Sequence, residues 1–289
     1  MKRIVTVQDI SCIGKCSLTV ALPIISAMGI ETAIIPTAVL STHTAFKGFT
    51  FHDLTGEVLP ILDHWEKEKF KFDGIYTGYL GSLEQIELMK NLITRFKGEN
   101  TLVIVDPCMA DNGSLYPGFD QNFASHMAGL CSYADYILPN LSEAAFLLGE
   151  KYLDKNYSED DIKALMKRLS SLGSRHVILK GVSFDKDQDD LKGVKGKIGI
   201  CAYDSGSGKY SWYFHKKIST SFHGTGDIFA SVFTAAMING FTTEKAYALA
   251  ADYVVKSIEE TLSHDNYNTY GVDFEAVIPY LVKEMEKRR

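Results

Sequence analysis

A glycine-rich stretch with one carboxylate is the part of this sequence best suited to chemistry. Residues 222–231 read FHGTGDIFAS, and apolar residues follow them at helical spacing, which predicts a buried helix that opens at Gly224 and Gly226. Because glycine has no Cβ, backbone amides at such a helix start can approach an anion closely. Two roles fit Asp227: a base beside that anion, or an acidic residue that capping and the helix dipole favour at a helix start. This window alone leaves both interpretations open.

Further polar side chains follow two apolar strands. Asp106 ends the predicted strand 102–105 and Asp111 lies in the loop after it, while Asn140 and Glu143 follow the predicted strand 136–138. The carboxyl ends of parallel strands are where ligands of α/β proteins bind, and oxygen ligands there suit Mg²⁺. The spacing of Asn140 and Glu143 also fits an N-cap with its capping box. A hydrated metal and a helix start both explain this pair.

Short β-branched runs alternate with longer periodic segments along the whole chain. The predicted strands are 4–7, 32–36, 74–79, 102–105, 136–138 and 176–179, and the predicted helices include 18–28, 54–68 and 83–96. This alternation predicts an α/β fold with a central, mostly parallel sheet flanked by helices on both faces. The sites described above then lie at the carboxyl ends of its strands.

Two stretches interrupt the alternation. Residues 40–53 are polar and aromatic, and they suit either a flap over a site or an ordinary connection with buried aromatic residues. Residues 185–197 are rich in Asp, Lys and Gly and predict a solvated loop. That loop leads into a hairpin of 197–203 and 210–215, whose turn reads DSGSG.

Composition limits the class of protein. A chain of 289 residues with 46% hydrophobic and 23% charged residues is typical of a globular protein, and we expect one domain over residues 1–289. The net charge is -6, and Lys and Arg are scattered along the chain. This distribution argues against a nucleic-acid surface and favours small-molecule partners.

Cysteines and hydropathy indicate the compartment. The five cysteines are odd in number and lack metal-type CxxC spacing, so the sequence predicts neither a disulfide framework nor a zinc site. The first residues, MKRIVTVQD, do not continue into the apolar stretch of an export signal, and no run of about 18 apolar residues predicts a membrane span. We therefore expect a cytoplasmic protein without membrane partners.

Five windows in this order resemble the ribokinase superfamily, specifically its pyridoxal kinase branch. The windows are 41–44 (STHT), 77–82 (TGYLGS), 106–107 (DP), 139–143 (PNLSE) and 224–227 (GTGD), and the match spans nearly the whole chain. The resemblance implies a ribokinase-like fold and ATP-dependent phosphorylation of the 5′-hydroxymethyl group of a vitamin B6 vitamer. Pyridoxal, pyridoxamine or pyridoxine would be the acceptor in B6 salvage, and the protein would be a homodimer.

The resemblance also implies a role for each matching residue. Asp227 is the catalytic base, and Gly224, Thr225 and Gly226 form the anion hole. ATP and Mg²⁺ are the implied cofactors, with a monovalent cation such as K⁺ as a further one. The implied substrate-binding residues are Asp9, His43, Thr44, Tyr79 and Phe222; the ATP-binding residues are Asn140, Glu143, Lys180, Gly181 and Thr225; the metal ligands are Asp106, Asp111 and Glu143. Lys180 is alternatively an ordinary surface lysine.

One departure from the family pattern concerns the first strand. The family has a Ser-His pair directly after the strand's Gln, whereas this chain has Asp9 and Ile10 after Gln8. We hypothesise that Asp9 accepts a hydrogen bond from a ligand N–H or ammonium group. This feature keeps open a hydroxymethylpyrimidine kinase of thiamine synthesis. An alternative of another class is a non-catalytic protein that binds nucleotide or vitamer on the same scaffold.

Overall fold

The structure is a computed structural model that describes residues 1–153 and 157–287. Its strands are β1 (Arg3–Ser11), β2 (Glu31–Leu40), β3 (Phe51–Asp53), β4 (Gly74–Thr77), β5 (Leu102–Val105), β6 (Ala110–Asp111), β7 (Ser114–Leu115), β8 (Tyr136–Ile137), β9 (His176–Ser183), β10 (Lys197–Asp204) and β11 (Lys209–Lys216). Its helices are α1 (Leu18–Ala27), α2 (Thr55–Lys67), α3 (Leu83–Phe96), α4 (Gln121–Cys131), α5 (Leu141–Leu148), α6 (Glu159–Ser170), α7 (Thr225–Ile238), α8 (Thr243–Leu262) and α9 (Phe274–Glu286).

The chain divides into two compact units, each made of segments that are distant in sequence. The first unit comprises Met1–Tyr79, Thr94–Leu102 and Thr220–Arg289, and the second comprises Leu80–Ile93 and Val103–Ser219. Neither unit is one continuous stretch of chain. The expectation of a single domain over 1–289 stays a prediction.

In the first unit, β1 lies between two parallel neighbours. It pairs with β2 on one side and with β4 on the other, and β3 adds to β2 in the antiparallel sense. The residues Ile4, Val5 and Val7 of β1 are completely buried, as expected for a parallel strand that is covered on both faces. Helix α1 packs on β1 and β2, and α7 packs against α1 and α8. This packing places the start of α7 in the same unit as the end of β1.

In the second unit, β5, β8 and β9 run parallel, and β10 and β11 continue from β9 as antiparallel strands. Helix α5 packs against α4, α6 and β9. The apolar run of β5 is buried from Val103 to Val105, and Asp106 follows it directly. The carboxyl ends of β5, β8 and β9 therefore lead into the polar residues singled out from the sequence.

The predicted α/β architecture is confirmed: the sheet is mostly parallel and helices flank it. The main differences concern strand lengths, because β1 continues past residue 7 to Ser11 and β2 continues past residue 36 to Leu40. The stretch 40–53 is a loop only at 41–50, since Leu40 pairs with Phe51 at its ends. Within the described residues, no helix combines the length and the apolar character that crossing a membrane requires.

Candidate active site

The glycine-rich turn before α7 has the backbone geometry that its sequence predicts. Gly224 is the N-cap of α7 with a left-handed φ of 79°, and the Ile228 N–H donates to its carbonyl over 2.9 Å. The N–H groups of Thr225, Gly226 and Asp227 thus belong to the first turn, ahead of the intrahelical hydrogen bonds. The Thr225 hydroxyl donates to the carbonyl of Phe222 over 3.2 Å and closes the turn. Such a helix start suits an anion.

Asp227 directs its carboxylate toward the turn before α1. Asp227 is half-buried, and its Oδ2 accepts a hydrogen bond from the Ser17 N–H at 3.0 Å. The carboxylate is therefore held beside the first turn of α7 and does not point into the apolar core behind Ile228. A carboxylate oriented in this way can position an alcohol and accept its proton.

The turn that supplies this N–H has a strained backbone. Lys15 has φ 49°, and Ser17 has φ 51° with ψ -133°, although neither residue is glycine. Each such residue costs on the order of 1–3 kcal/mol and persists only where its surroundings enforce it, which is common at functional sites. Ser17 is the N-cap of α1 but makes no side-chain cap bond.

Asp9 is a buried carboxylate near the end of β1. It is 5% exposed, and the pairing of β1 with β2 shifts register between Gln8 and Ile10, as bulges near active sites often do. Burial raises the pKa of Asp9, and hydrogen bonds from the hydroxyls of Ser17 and Ser11 act against that rise. The Ser11 hydroxyl donates to Asp9 Oδ2 at 3.2 Å, so a protein group already bonds this carboxylate.

Cys16 is a half-buried cysteine whose thiol is influenced by Asp227 and Asp9. Burial, followed by the negative charges of Asp227 and Asp9, raises the pKa of its thiol to about 12. A thiol of this kind stays protonated and is a poor nucleophile. Cys16 is therefore unsuited to act as a nucleophile here.

The predicted substrate-binding residues differ in exposure. His43 is 7% exposed, and its ring centre lies 4.9 Å from those of Phe46 and His223. Its Nδ1 accepts the Ala45 N–H at 3.2 Å, and burial, together with the neighbouring His223, lowers the pKa of the imidazole. His43 is thus a neutral ring in an aromatic cluster. Thr44 is exposed, Tyr79 is half-buried, and Phe222 is buried with its ring centre 5.8 Å from that of Tyr267.

In the second unit, Lys180 forms a buried ion pair with Asp106. Its Nζ lies 2.8 Å from each carboxylate oxygen, and the lysine side chain is only 12% exposed. Burial acts to lower the pKa of Lys180, but the charges of Asp106 and Glu143 outweigh it and raise the pKa to about 12. The alternative that Lys180 is a surface lysine is wrong, because its ammonium neutralises a carboxylate that burial would otherwise destabilise.

Asn140 and Glu143 form the capping box at the start of α5. The Asn140 N–H donates to Glu143 Oε2 at 2.7 Å, and the Glu143 N–H donates to Asn140 Oδ1 at 2.9 Å. The remaining polar group of Asn140, Nδ2, donates to the carbonyl of Ala110 at 2.8 Å. Burial raises the pKa of Glu143 to about 8 despite the nearby Lys180 ammonium. The capping-box interpretation is therefore confirmed.

The predicted metal ligands are not brought together as a preformed centre. Across residues 1–153 and 157–287, no group of three or more His, Cys, Asp or Glu is arranged to hold a metal ion. Asp111 is exposed and accepts hydrogen bonds from Asn112, whereas Asp106 and Glu143 are buried. Both Asp106 oxygens contact the Lys180 ammonium, and Glu143 Oε2 accepts the Asn140 N–H. These carboxylates are therefore engaged by the protein itself, and their role toward Mg²⁺ stays a prediction.

Gly181 follows Lys180 at a position that requires glycine. Its φ is 71°, in the left-handed region, and no atom lies within 4 Å of where a Cβ would be. The backbone at Gly181 is therefore exposed and uncrowded, which leaves room for a ligand beside it.

Sequence reasoning missed several contributors to the site. The sequence did not indicate a role for Ser17 or Lys15, because a left-handed backbone at a residue other than glycine cannot be predicted from residue type. The hairpin of β6 and β7 could have been predicted, because an Asn-Gly pair is typical of a type I′ turn. Asn112 and Gly113 have φ 48° and 75°, as that turn requires. Asp111 therefore belongs to a hairpin and not to an irregular loop.

Residues 22–271 match the family model described as phosphomethylpyrimidine kinase. A hydroxymethylpyrimidine/phosphomethylpyrimidine kinase of Bacillus subtilis is 31% identical over 212 residues, 73% of this chain and 72% of that protein. A provisionally named phosphomethylpyrimidine kinase of Bacteroides thetaiotaomicron, crystallised with pyridoxal, is 36% identical with a TM-score of 0.89 over 97% of this chain and 95% of that chain. Pyridoxal kinase of Lactobacillus plantarum is 27% identical with a TM-score of 0.88 over 99% of both chains. The chain therefore belongs to the phosphomethylpyrimidine kinase family and is a pyridoxal kinase-like member of the ribokinase superfamily.

Proposed function

We propose that this protein transfers the γ-phosphoryl group of ATP to the 5′-hydroxymethyl group of a vitamin B6 vitamer, as a step of B6 salvage. The observation that carries the proposal is the Asp227 carboxylate, fixed by the Ser17 N–H at 3.0 Å beside the first turn of α7. Phosphoryl transfer depends mainly on positioning and electrostatic stabilisation, and this arrangement supplies both a base and amide donors.

The proposed reaction uses Asp227 as the base. As the hydroxymethyl oxygen bonds to the γ-phosphorus, its proton passes to the carboxylate, and the bond from phosphorus to the β,γ-bridging oxygen breaks to release ADP. The amides of Thr225 and Gly226 stabilise the negative charge on the transferring group. Mg²⁺ would neutralise charge on the phosphates when bound, and Asp106 and Glu143 would reach it only by exchanging their contacts with Lys180 and the Asn140 N–H.

The second unit supplies the proposed nucleotide-binding residues, Asn140, Glu143, Lys180 and Gly181. Asn140 and Glu143 form the capping box at the start of α5. The first N–H groups of a helix point outward from its start and attract phosphate. Lys180 contacts both Asp106 oxygens at 2.8 Å, and its charge opposes the rise in the pKa of Asp106 that burial causes. A requirement for K⁺, a homodimer and a cytoplasmic location stay predictions of the family resemblance.

Hydroxymethylpyrimidine phosphorylation is the second candidate. The Bacillus subtilis relative favours it by name and by its 31% identity. Asp9 also suits an amino group on the substrate ring, because a carboxylate accepts a strong hydrogen bond from such a group. The B6 proposal ranks first because the Bacteroides thetaiotaomicron structure that contains pyridoxal is 36% identical to this chain.

The test is ADP release with pyridoxal, pyridoxine, pyridoxamine and hydroxymethylpyrimidine as acceptors, for the wild type and Asp227→Asn. Removing the base is expected to lower kcat by about 10²–10⁴-fold. KM is expected to stay within about threefold, because the base acts in the transition state. Asp265→Asn, which changes an exposed carboxylate of the same unit, is the control.

The outcomes separate the candidates. A higher kcat/KM for hydroxymethylpyrimidine than for every vitamer would favour the second candidate. Turnover in Asp227→Asn within tenfold of the wild type would remove Asp227 from the role of base. Binding of a vitamer without ATP consumption by the wild type would indicate the non-catalytic alternative.

A further inference from the structure

We propose that Lys15 is a positioning residue, whose ion pairs hold the strained turn 14–17 so that its Ser17 amide orients the Asp227 carboxylate. The inference rests on the proposed function, because the carboxylate that is oriented is the proposed base. Lys15 acts through Ser17, since its own ammonium is engaged by two carboxylates.

Two carboxylates of the C-terminal part of the chain hold the Lys15 side chain. Its Nζ lies 2.6 Å from Asp273 Oδ1 and 3.0 Å from Glu275 Oε2. The lysine side chain is 19% exposed and that of Asp273 is 28% exposed, so this pair is partly shielded from water. Partly shielded, two-carboxylate pairs keep more of their attraction than exposed single pairs do.

The acceptors of Lys15 are themselves fixed to α8. The Asp273 N–H donates to the hydroxyl of Thr261 at 2.7 Å, and the Tyr253 hydroxyl donates to the carbonyl of Phe274 at 2.7 Å. Thr261 and Tyr253 are completely buried. The Lys15 ammonium is therefore attached to a rigid element of the first unit.

Two glycines pack closely against Lys15, one at its carbonyl oxygen and one at its Cβ. A Cβ on Gly224 would lie 2.1 Å from the Lys15 carbonyl oxygen, and a Cβ on Gly271 would lie 2.5 Å from the Lys15 Cβ. Both glycines make room for Lys15. Together with the ion pairs, this packing enforces left-handed φ values at Lys15 and Ser17 that the chain would not adopt unaided.

Ser17 transmits this geometry to Asp227. Its N–H donates to the Asp227 carboxylate at 3.0 Å. When the ion pairs are lost, the turn can relax toward ordinary φ values, and the amide moves away from Asp227. A shift of about 1 Å in a reacting group can cost up to about 10²-fold in rate.

The kinetic test compares Lys15→Met, which keeps the length of the side chain without its charge, with Lys15→Arg. Lys15→Met is expected to lower kcat about tenfold with KM for ATP and pyridoxal within about twofold, because only orientation in the transition state is lost. Lys15→Arg keeps the ion pairs and is expected to recover kcat to within about threefold of the wild type. Lys245→Met, an exposed lysine on α8, is the control.

The double variant Asp273→Asn/Glu275→Gln removes the same ion pairs from the carboxylate side. This double variant is expected to lower kcat as Lys15→Met does, and adding Lys15→Met to it is expected to change kcat less than twofold further. All rates are measured below the onset of thermal unfolding of each variant. If Lys15→Met does not fold, the single variant Glu275→Gln, which leaves the Asp273 contact, is compared with the wild type instead.

Amide hydrogen exchange in the unliganded protein gives a readout that does not depend on turnover. Exchange in a peptide covering residues 14–18 is expected to be faster in Lys15→Met than in the wild type and in Lys245→Met. Unchanged exchange, or a kcat of Lys15→Met equal to that of the wild type, overturns the inference. If the wild type phosphorylates none of the alcohols, the proposed function fails, and the exchange result alone then decides whether Lys15 holds the turn.

Discussion

Gly224 has two separate reasons to be glycine. Its φ of 79° lies in the left-handed region, and the Lys15 carbonyl oxygen occupies the space where a Cβ would be. The sequence suggested that a glycine here lets an anion approach the helix start. The structure adds that the same glycine lets the turn 14–17 reach α7, so substitution affects the site as well as the helix.

Replacing Gly224 by alanine therefore tests the close approach, and Gly240 is the matched control. Gly240 has the same φ of 79° but no atom within 4 Å of an added Cβ. Gly240→Ala is expected to cost about 1–2 kcal/mol of unfolding free energy through its backbone alone. Gly224→Ala is expected to cost about 1–3 kcal/mol more through overpacking, and to lose turnover. Urea unfolding measures both variants, and equal losses of stability would contradict the argument.

The site could be predicted at residues whose type carries the signal. Asp227, Asp106 and Glu143 are carboxylates directly after strands or glycines, and the structure places each one at the element end expected from the sequence. Lys15 and Ser17 could not be predicted, because their importance lies in left-handed backbone conformations that tertiary contacts impose. Asp273, which pairs with Lys15, is 258 residues away in the sequence, and local sequence patterns do not predict a contact over that separation.

At the scale of elements, apolar periodicity predicted most strands and helices. The predicted ranges were too short where a strand continues into buried polar residues. β1 contains Gln8, Asp9 and Ser11, all buried, so its apolar run stops at Val7 while its hydrogen-bonded ladder continues. Strands of two residues, such as β6 and β7, are too short to show any period. The helix starts were better defined, since the capping box of α5 is visible in the sequence.

The hairpin of β10 and β11 gives a prediction on pH. Arg175 above all, with further hydrogen bonds from Ser207 and the Gly206 N–H, holds the pKa of Asp204 well below the ordinary aspartate value of 3.8. A depressed carboxyl pKa stabilises the folded state above pH 3.8, and this stabilisation is lost progressively as the pH falls below that value. Because Arg175 is largely exposed, we expect Asp204→Asn to cost only about 1 kcal/mol at pH 7.

Urea unfolding of the wild type and Asp204→Asn at pH 7, 4 and 3 checks this prediction. The difference between the two proteins should be largest at pH 7 and should shrink below pH 4, where the wild-type carboxyl begins to lose its advantage. Asp189→Asn, at an exposed position of the same unit, should show no such change. A difference that grows as the pH falls would contradict the assigned role of Asp204.

At the scale of the whole molecule, the two compact units contain different parts of the proposed machinery. The first contains Asp227 and the predicted substrate-binding residues, and the second contains Asp106, Glu143 and Lys180. The fold class could be argued from periodicity. The division could not, because residues 94–102 and 220–289 join the first unit through contacts between segments that are distant in sequence.

Ligand-linked stability separates binding by the whole protein from turnover. A ligand at about 100 times its Kd stabilises the folded state by about 2.7 kcal/mol, which raises Tm by several degrees in a protein of this size. Pyridoxal is expected to raise Tm equally in the wild type and in Asp227→Asn, because the base is needed for transfer and not for binding. Asp9→Asn is expected to weaken the response to pyridoxamine most, since a carboxylate binds an ammonium group more strongly than an amide does. If the three vitamers keep the same order of Tm shifts in the wild type and in Asp9→Asn, then Asp9 is a structural carboxylate bound to Ser11, and ring recognition lies with other residues.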